Sequence, residues 1–79
     1  MPRYFFHIHD GTSALDDTGT ELPDLASAQS AALQTSGEII KQASMENLWK
    51  GVPWEMSVTD GPQQDSRTFF VVRFSVAQK

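Results

Sequence analysis

Two sets of alternate positions run through the segment RYFFHIHD, Arg3 to Asp10, near the start of the chain. Because successive side chains of a strand point to opposite faces of a sheet, this segment predicts a strand with two different faces. The face suited to a core carries Tyr4, Phe6 and Ile8. The other face carries Arg3, Phe5, His7 and His9.

The same alternation returns twice near the end of the chain. In WEMSVTD, residues 54–60, the core-facing set is Trp54, Met56 and Val58. In TFFVVRFSV, residues 68–76, one face carries Phe70, Val72, Phe74 and Val76, and the other carries Phe69, Val71, Arg73 and Ser75. A short extended piece near residues 13–16 follows the turn signal Asp10-Gly11. This piece and the first strand are predicted to form an opening hairpin.

Between these strands the apolar positions take the period of a helix. Asp24 is the predicted N-cap, because its carboxylate can accept the free N–H groups of the first turn. The stripe at helical spacing is Leu25, Ala28, Ala32, Ile39 and Ala43, widened by Leu33 and Ile40. Its alanines predict that the helix lies close to the sheet. We expect the helix to end near Ser44 to Asn47, since Gly51 and Pro53 forbid much further extension.

These elements predict an α+β fold of the order ββαββ, with one helix packed on one face of a four-stranded, mainly antiparallel sheet. The first and last strands are apolar on both faces, so we expect them at the centre of the sheet, with the other two strands outside. The predicted core comprises Tyr4, Phe6, Ile8, Leu25, Ala28, Ala32, Ile39, Trp54, Met56, Val58, Phe70, Val72 and Phe74.

The composition limits the classes to which this protein can belong. Its 79 residues predict a single domain, residues 1–79, with a modest core. It has no cysteine, so it forms neither a disulfide nor a thiolate metal site. The net charge of −4 disfavours general binding to nucleic acid or to anionic lipid. No apolar run is long enough to span a membrane, and the first residues lack the features of a signal peptide. We therefore expect a cytoplasmic location.

Two histidines on one strand face are the main candidate metal ligands in the sequence. His7 and His9 have the spacing at which two imidazoles can converge on one ion, and Glu55 is the one further ligand expected on that face. Two partly exposed polar side chains are the commoner meaning of this pattern. We therefore predict neither a metal nor a cofactor, and keep His7 and His9 only as candidates.

Catalytic motifs are also missing. No serine lies in a G-x-S-x-G elbow, and the five glycines are scattered singly rather than gathered in a phosphate-binding loop. Asp16 and Asp17 are adjacent, so in an extended segment they point to opposite faces and do not cooperate. Turn formation before Gly19 accounts for them better. We predict that the protein is not an enzyme.

The helix-free face of the sheet is the predicted functional surface. A single helix covers one face only, and an uncovered apolar patch generally marks an interaction site. The predicted interface residues are Phe5, His7, Phe69, Val71 and Arg73. Phe5, Phe69 and Arg73 are also arranged as a base-stacking platform would be, but the acidic balance of the chain argues against nucleic acid. Trp49 and Trp54 are candidates for either core or partner contact.

The chain resembles a family of small bacterial proteins known only as a domain of unknown function. The resemblance is carried by MPRYFFHIHDG, DDTGTELPDLASAQSAAL and the late VTD, and covers most of the chain. It implies no activity. A second similarity is to HicB-like antitoxin domains, which also place a hairpin, a Pro-Asp-Leu segment and an Ala-rich helix in that order. Pro23, Asp24 and Leu25 match that segment.

We therefore expect a non-catalytic interaction or assembly module that forms a homodimer or binds a protein partner through the helix-free face. The first alternative is a HicB-like regulatory domain that contacts a toxin or nucleic acid. The second is a metal-binding or small-ligand-binding protein that uses His7 and His9.

Overall fold

A computed structural model describes residues 2–42, 46–63 and 65–77. Its strands are β1 (Arg3–His9), β2 (Ser13–Ala14), β3 (Thr20–Glu21), β4 (Trp54–Thr59) and β5 (Thr68–Phe74). Its helices are α1 (Leu25–Gln42) and the single turn α2 (Glu46–Trp49). The predicted α+β class and the order ββαββ are confirmed in outline, with β3 and α2 as additions. Neither described helix has the length and apolarity needed to cross a membrane.

The strands pair in the order β2-β1-β4-β5, and β3 also pairs with β1. All of these pairings are antiparallel. The predicted central position of β1 and outer position of β2 are confirmed, but the other two predicted positions are wrong, because β4 lies at the centre and β5 at an edge. The helix-free face of β4 is polar, but its hydroxyl groups hydrogen-bond to β1: Ser57 lies 3.2 Å from His9, and Thr59 lies 2.9 Å from His7. A central strand therefore needs partners for its polar groups rather than two apolar faces.

The short strands β2 and β3 behave as one interrupted strand along the outer side of β1. Ala14 lies opposite Ile8, and Thr20 lies opposite Tyr4. Five residues, 15–19, therefore span a stretch in which β1 has only three, residues 5–7. The two extra residues cannot stay in the plane of the sheet, so the segment arches out of it.

A strip of small side chains allows α1 to lie close to the sheet. Asp24 caps the helix as predicted, since its carboxylate accepts the N–H of Ser27 at 2.8 Å. Ala28, Ala32 and Ser36 are completely buried, and the Ser36 hydroxyl contacts the Met56 sulfur at 3.6 Å. The predicted close approach is confirmed, and α1 packs against β4 and β5.

Most of the predicted core is confirmed. Tyr4, Trp54, Met56 and Val58 are buried, and the following predicted residues are half-buried against them: Phe6, Ile8, Ile39, Phe70, Val72 and Phe74. Leu25 is an exception, because burial along α1 begins one turn later, at Ala28. Leu33 is exposed too, and Leu48 of α2 is a core residue that the helical pattern missed. Of the predicted helix end, Ser44 to Asn47, Ser44 lies outside the described residues, as does the stripe position Ala43, and Asn47 belongs to α2.

One irregularity interrupts the alternation of β5. Val58 lies opposite Phe70, but Thr59 lies opposite Thr68, so Phe69 is an extra residue in the ladder. The Phe69 ring centroid lies 5.4 Å from that of Tyr4, whose side chain belongs to the core beneath the helix. The prediction that Phe69 lies on the helix-free face is therefore wrong.

Candidate functional site

The arched segment, residues 15–19, covers part of the helix-free face. The Asp16 backbone N–H donates to Nδ1 of His7 at 3.0 Å, and a Cβ on Gly19 would come within 2.9 Å of the Phe5 ring. Phe5 and His7 are accordingly only 8% and 3% exposed. The expectation that these two side chains are exposed is wrong, because the chain covers them with its own backbone.

The Asp16 carboxylate fixes the arched segment to β1. One carboxylate oxygen accepts the N–H of Phe6 at 3.1 Å, and the other accepts those of Thr18 and Gly19 at 3.0 Å each. Burial alone would raise the pKa of Asp16. These three hydrogen bonds, together with the nearby His7 ring, hold the pKa below its ordinary value instead. Asp16 is therefore a structural carboxylate, committed to the backbone.

His7 links this segment to the end of β4. Since Nδ1 accepts a hydrogen bond from Asp16, the hydrogen of the neutral ring lies on Nε2. Nε2 faces the Thr59 hydroxyl at 2.9 Å and the Gly61 carbonyl at 3.1 Å. The Thr59 hydroxyl in turn donates to the same carbonyl at 2.7 Å. Both ring nitrogens therefore have hydrogen-bond partners, and the buried His7 side chain connects residues 15–19 to the end of β4.

A polar cleft of about 320 Å³ opens beside His7. Its lining residues are His7, His9, Ser13, Leu15, Ser57, Thr59, Gln63 and Thr68. His9 stands between two hydroxyl groups, with Nδ1 at 3.0 Å from Ser13 and Nε2 at 3.2 Å from Ser57. The volume is at the low end of what small-molecule sites use, and the lining is more polar than is usual for them.

Among the described residues that line the cleft, none carries a carboxylate. A serine paired with an imidazole needs a third group to orient the ring, and here that position is held by Ser13 rather than by a carboxylate. Glu55, the further ligand expected for a metal, pairs instead with Arg73 at 2.6 Å. Among residues 2–42, 46–63 and 65–77, no three acidic or histidine side chains gather as a metal-binding group.

Of the five predicted interface residues, only Val71 and Arg73 are exposed on the helix-free face. Val71 is 50% exposed, and Arg73 lies across from Glu55 on β4. Phe69 is exposed too, but on the side of Tyr4. Phe5, Phe69 and Arg73 therefore do not form a flat aromatic platform, and the base-stacking arrangement is not present.

The free edge of β5 is a second feature that the pattern of side chains did not indicate. Opposed residues of an antiparallel pair alternate between those that exchange both backbone hydrogen bonds and those whose backbone groups point away from each other. The Phe6 N–H points to Asp16, away from β4, so Phe6 and Val58 form a pair of the second kind. Val58 therefore directs its backbone groups to Phe70 on β5.

The same alternation assigns every regular residue of β5. Phe70, Val72 and Phe74 direct their N–H and C=O groups to β4. Val71 and Arg73 consequently direct theirs away from the sheet. In the part of the chain that the structure describes, no strand lies beyond β5 to receive them.

The strand itself has few of the features that protect sheet edges. It is seven residues long, contains no proline, and Arg73 is its only charged residue. Natural edge strands are usually shortened, charged, interrupted by proline or covered. At β5 only the irregular Phe69 and the charge of Arg73 serve in that way. The edge from Phe70 to Phe74 is therefore a ready template for another strand.

Comparison with family models places residues 3–75 in the family described as Domain of unknown function (DUF6894). The chain belongs to that family. Neither the comparison with curated proteins nor that with solved structures gives a match. The resemblance to HicB-like antitoxin domains and the cytoplasmic location stay predictions.

Proposed function

We propose that the protein is a non-catalytic interaction module that binds a protein partner along the edge of β5. The observation that carries this proposal is the backbone edge at Val71 and Arg73, which no described strand pairs with, and beside it the exposed Val71 side chain. Strand addition to such an edge is a common way of recognising protein, since the main chain supplies the hydrogen bonds and side-chain pockets supply the selectivity.

The remaining helix-free face supports a binding role over a catalytic one. Its buried polar atoms all have hydrogen-bond partners among the described residues, so these buried groups stabilise the fold. His7 supports the arched segment, and Glu55 is paired with Arg73. The candidate surface is therefore narrower than the sequence predicts, and it lies at the edge of the sheet instead of across its face.

Photo-crosslinking in living cells tests the proposal. A benzoyl-phenylalanine residue at position 71 is expected to give covalent adducts with protein in the native host. The same residue at Leu15 is the matched control, because Leu15 is similarly exposed but lies beside β2, across the sheet from β5. Adducts at neither position, or equal adducts at both, would contradict the proposal.

A further inference from the structure

We infer that the strand received by β5 is the β5 of a second copy, paired antiparallel about a two-fold axis through Val72. This inference rests on the proposed function and names its partner. In this arrangement the outward N–H and C=O groups of Val71 in one copy bond to those of Arg73 in the other, and the reverse. Every outward backbone group of these two residues then has a partner, in both copies.

The two neighbouring registers, with the axis through Val71 or through Arg73, are both less favourable. An axis through Val71 would place Arg73 opposite the irregular Phe69, where the ladder is already broken. An axis through Arg73 would place two like charges directly opposite each other, which destabilises a strand pair. The axis through Val72 avoids both conditions. It also brings Phe70 opposite Phe74 of the second copy, an aromatic cross-strand pair.

The position of α1 suits the same arrangement. A two-fold axis perpendicular to the sheet places both helices on the same face, and α1 packs against β4 and β5. With strands about 4.8 Å apart, a helix lying midway over β4 and β5 would be about 10 Å from its symmetry mate. That is the ordinary distance between packed helices. Strand pairing and helix packing are therefore compatible in one dimer.

The dimer would also bury more of the apolar surface of the small core. Phe70, Val72 and Phe74 are only half-buried in one chain, and all three lie on the helix-facing side of the edge strand. A second sheet continued beyond β5 would cover their exposed flanks. Domains of this size bury a smaller share of their surface on folding than larger domains do, so such added burial matters.

Variants with a single introduced cysteine test the register directly, because the natural chain contains no cysteine. In the proposed register, the Cα atoms of the two Val72 residues are about 4.5 Å apart, within the range of a disulfide. The two Val71 Cα atoms are about 8 Å apart, which is beyond that range. Under mild oxidation, Val72→Cys is expected to form a covalent dimer, and Val71→Cys is not. Faster crosslinking of Val71→Cys would overturn the register.

A mixture of Val71→Cys and Arg73→Cys provides a second readout that leaves the half-buried Val72 in place. The heterodimer is expected to crosslink faster than either variant alone, since these positions are opposed across the axis. Equal or slower crosslinking of the mixture would count against the arrangement.

Sedimentation equilibrium tests the association itself. Wild type is expected to dimerise at concentrations of about 100 µM or lower. Val71→Pro removes an outward N–H in each copy, and is expected to raise the dissociation constant by about 30-fold or more. A wild type that stays monomeric at about 1 mM would end the homodimer. In that event, adducts of residue 71 with other proteins would still support the proposed function, so the two failures are distinguishable.

Discussion

The two edges of the sheet are treated in opposite ways. On the outer side of β1, the chain supplies β2 and β3, and the Asp16 carboxylate receives the one N–H that falls between them. On the outer side of β5, the described chain supplies no strand and no such carboxylate. Two short strands and one carboxylate therefore cover the edge of β1. The open edge of β5 is therefore the place where we propose that a partner strand binds.

The largest test of this comparison exchanges neighbouring residues of β5 for proline. Val72→Pro removes an N–H that bonds to β4, and is expected to lower the free energy of unfolding by about 3 kcal/mol or more. Val71→Pro removes an outward N–H, so a much smaller loss is expected in the monomer. Urea unfolding at low protein concentration measures both variants. Equal losses would show that the backbone directions assigned to β5 are wrong.

A smaller effect is expected at the closed edge. Gly19 has a φ of 75°, and an added Cβ would lie 2.7 Å from the Arg3 side chain and 2.9 Å from the Phe5 ring. Gly19→Ala is therefore expected to lower the free energy of unfolding by about 1–2 kcal/mol. Thermal melts measure the effect.

Gly37→Ala is the matched control for that variant. It lies inside α1 with nothing near its added Cβ, and is expected to stabilise the protein by up to about 1 kcal/mol. A Gly19→Ala protein as stable as wild type would refute the close covering of Phe5.

The Asp16 carboxylate makes the closed edge sensitive to acid. Its pKa is lowered from an ordinary 3.8 in the folded state. It therefore stabilises the fold above pH 3.8, and this contribution is lost as the pH falls through the lower, folded-state value. Asp16→Asn is expected to cost about 1 kcal/mol near neutral pH, a difference that shrinks in acid. Urea unfolding across a series of pH values measures it.

Asp24→Asn serves as the control for this acid dependence. Hydrogen bonds from Ser27 lower the pKa of Asp24 as well, so this carboxylate also contributes to acid lability, but from the start of α1. Faster hydrogen exchange of the backbone amides of residues 16–19 is expected in Asp16→Asn and not in Asp24→Asn. The same exchange pattern in both variants would argue that Asp16 has no special part in holding the segment.

The smallest expected effect is that of divalent metal. A site with a dissociation constant of about 10 µM would stabilise the fold by about 2.7 kcal/mol at 1 mM metal. No such shift is expected here, because Nδ1 of His7 accepts the Asp16 N–H. Melting curves with zinc and with EDTA test this directly. A zinc-dependent rise that disappears in His9→Ala would revive the metal-binding alternative.

The strands β1, β4 and β5 and the helix were predictable because each has its own period in the sequence. The helix-side core followed from the same periods, from Tyr4 to Phe74. The cover over Phe5 was not predictable in this way, since it arises from a mismatch in length between two paired segments. Such a mismatch is visible only once the pairing is known.

The open edge was hidden for a related reason. Apolar residues on both faces of the last strand predicted a central position, but the neighbours of a strand are set by backbone pairing that side chains report only indirectly. The sequence did contain one signal for the true position of β4. Its two hydroxyl groups, Ser57 and Thr59, have the same two-residue spacing as the two histidines of β1. Each hydroxyl can therefore hydrogen-bond to one of these histidines, which predicts that β4 lies beside β1.

Phe69 can be considered a residue inserted into an otherwise continuous ladder. Were it deleted, Thr68 would still face Thr59 and Phe70 would still face Val58, each on its present side. The sheet would keep its pairing and its cleft, while Tyr4 would lose the ring that shields it. The chain thus gains an aromatic contact for Tyr4 without any change of phase in its last strand, and in the proposed dimer the same insertion marks where the pairing of the two strands would stop.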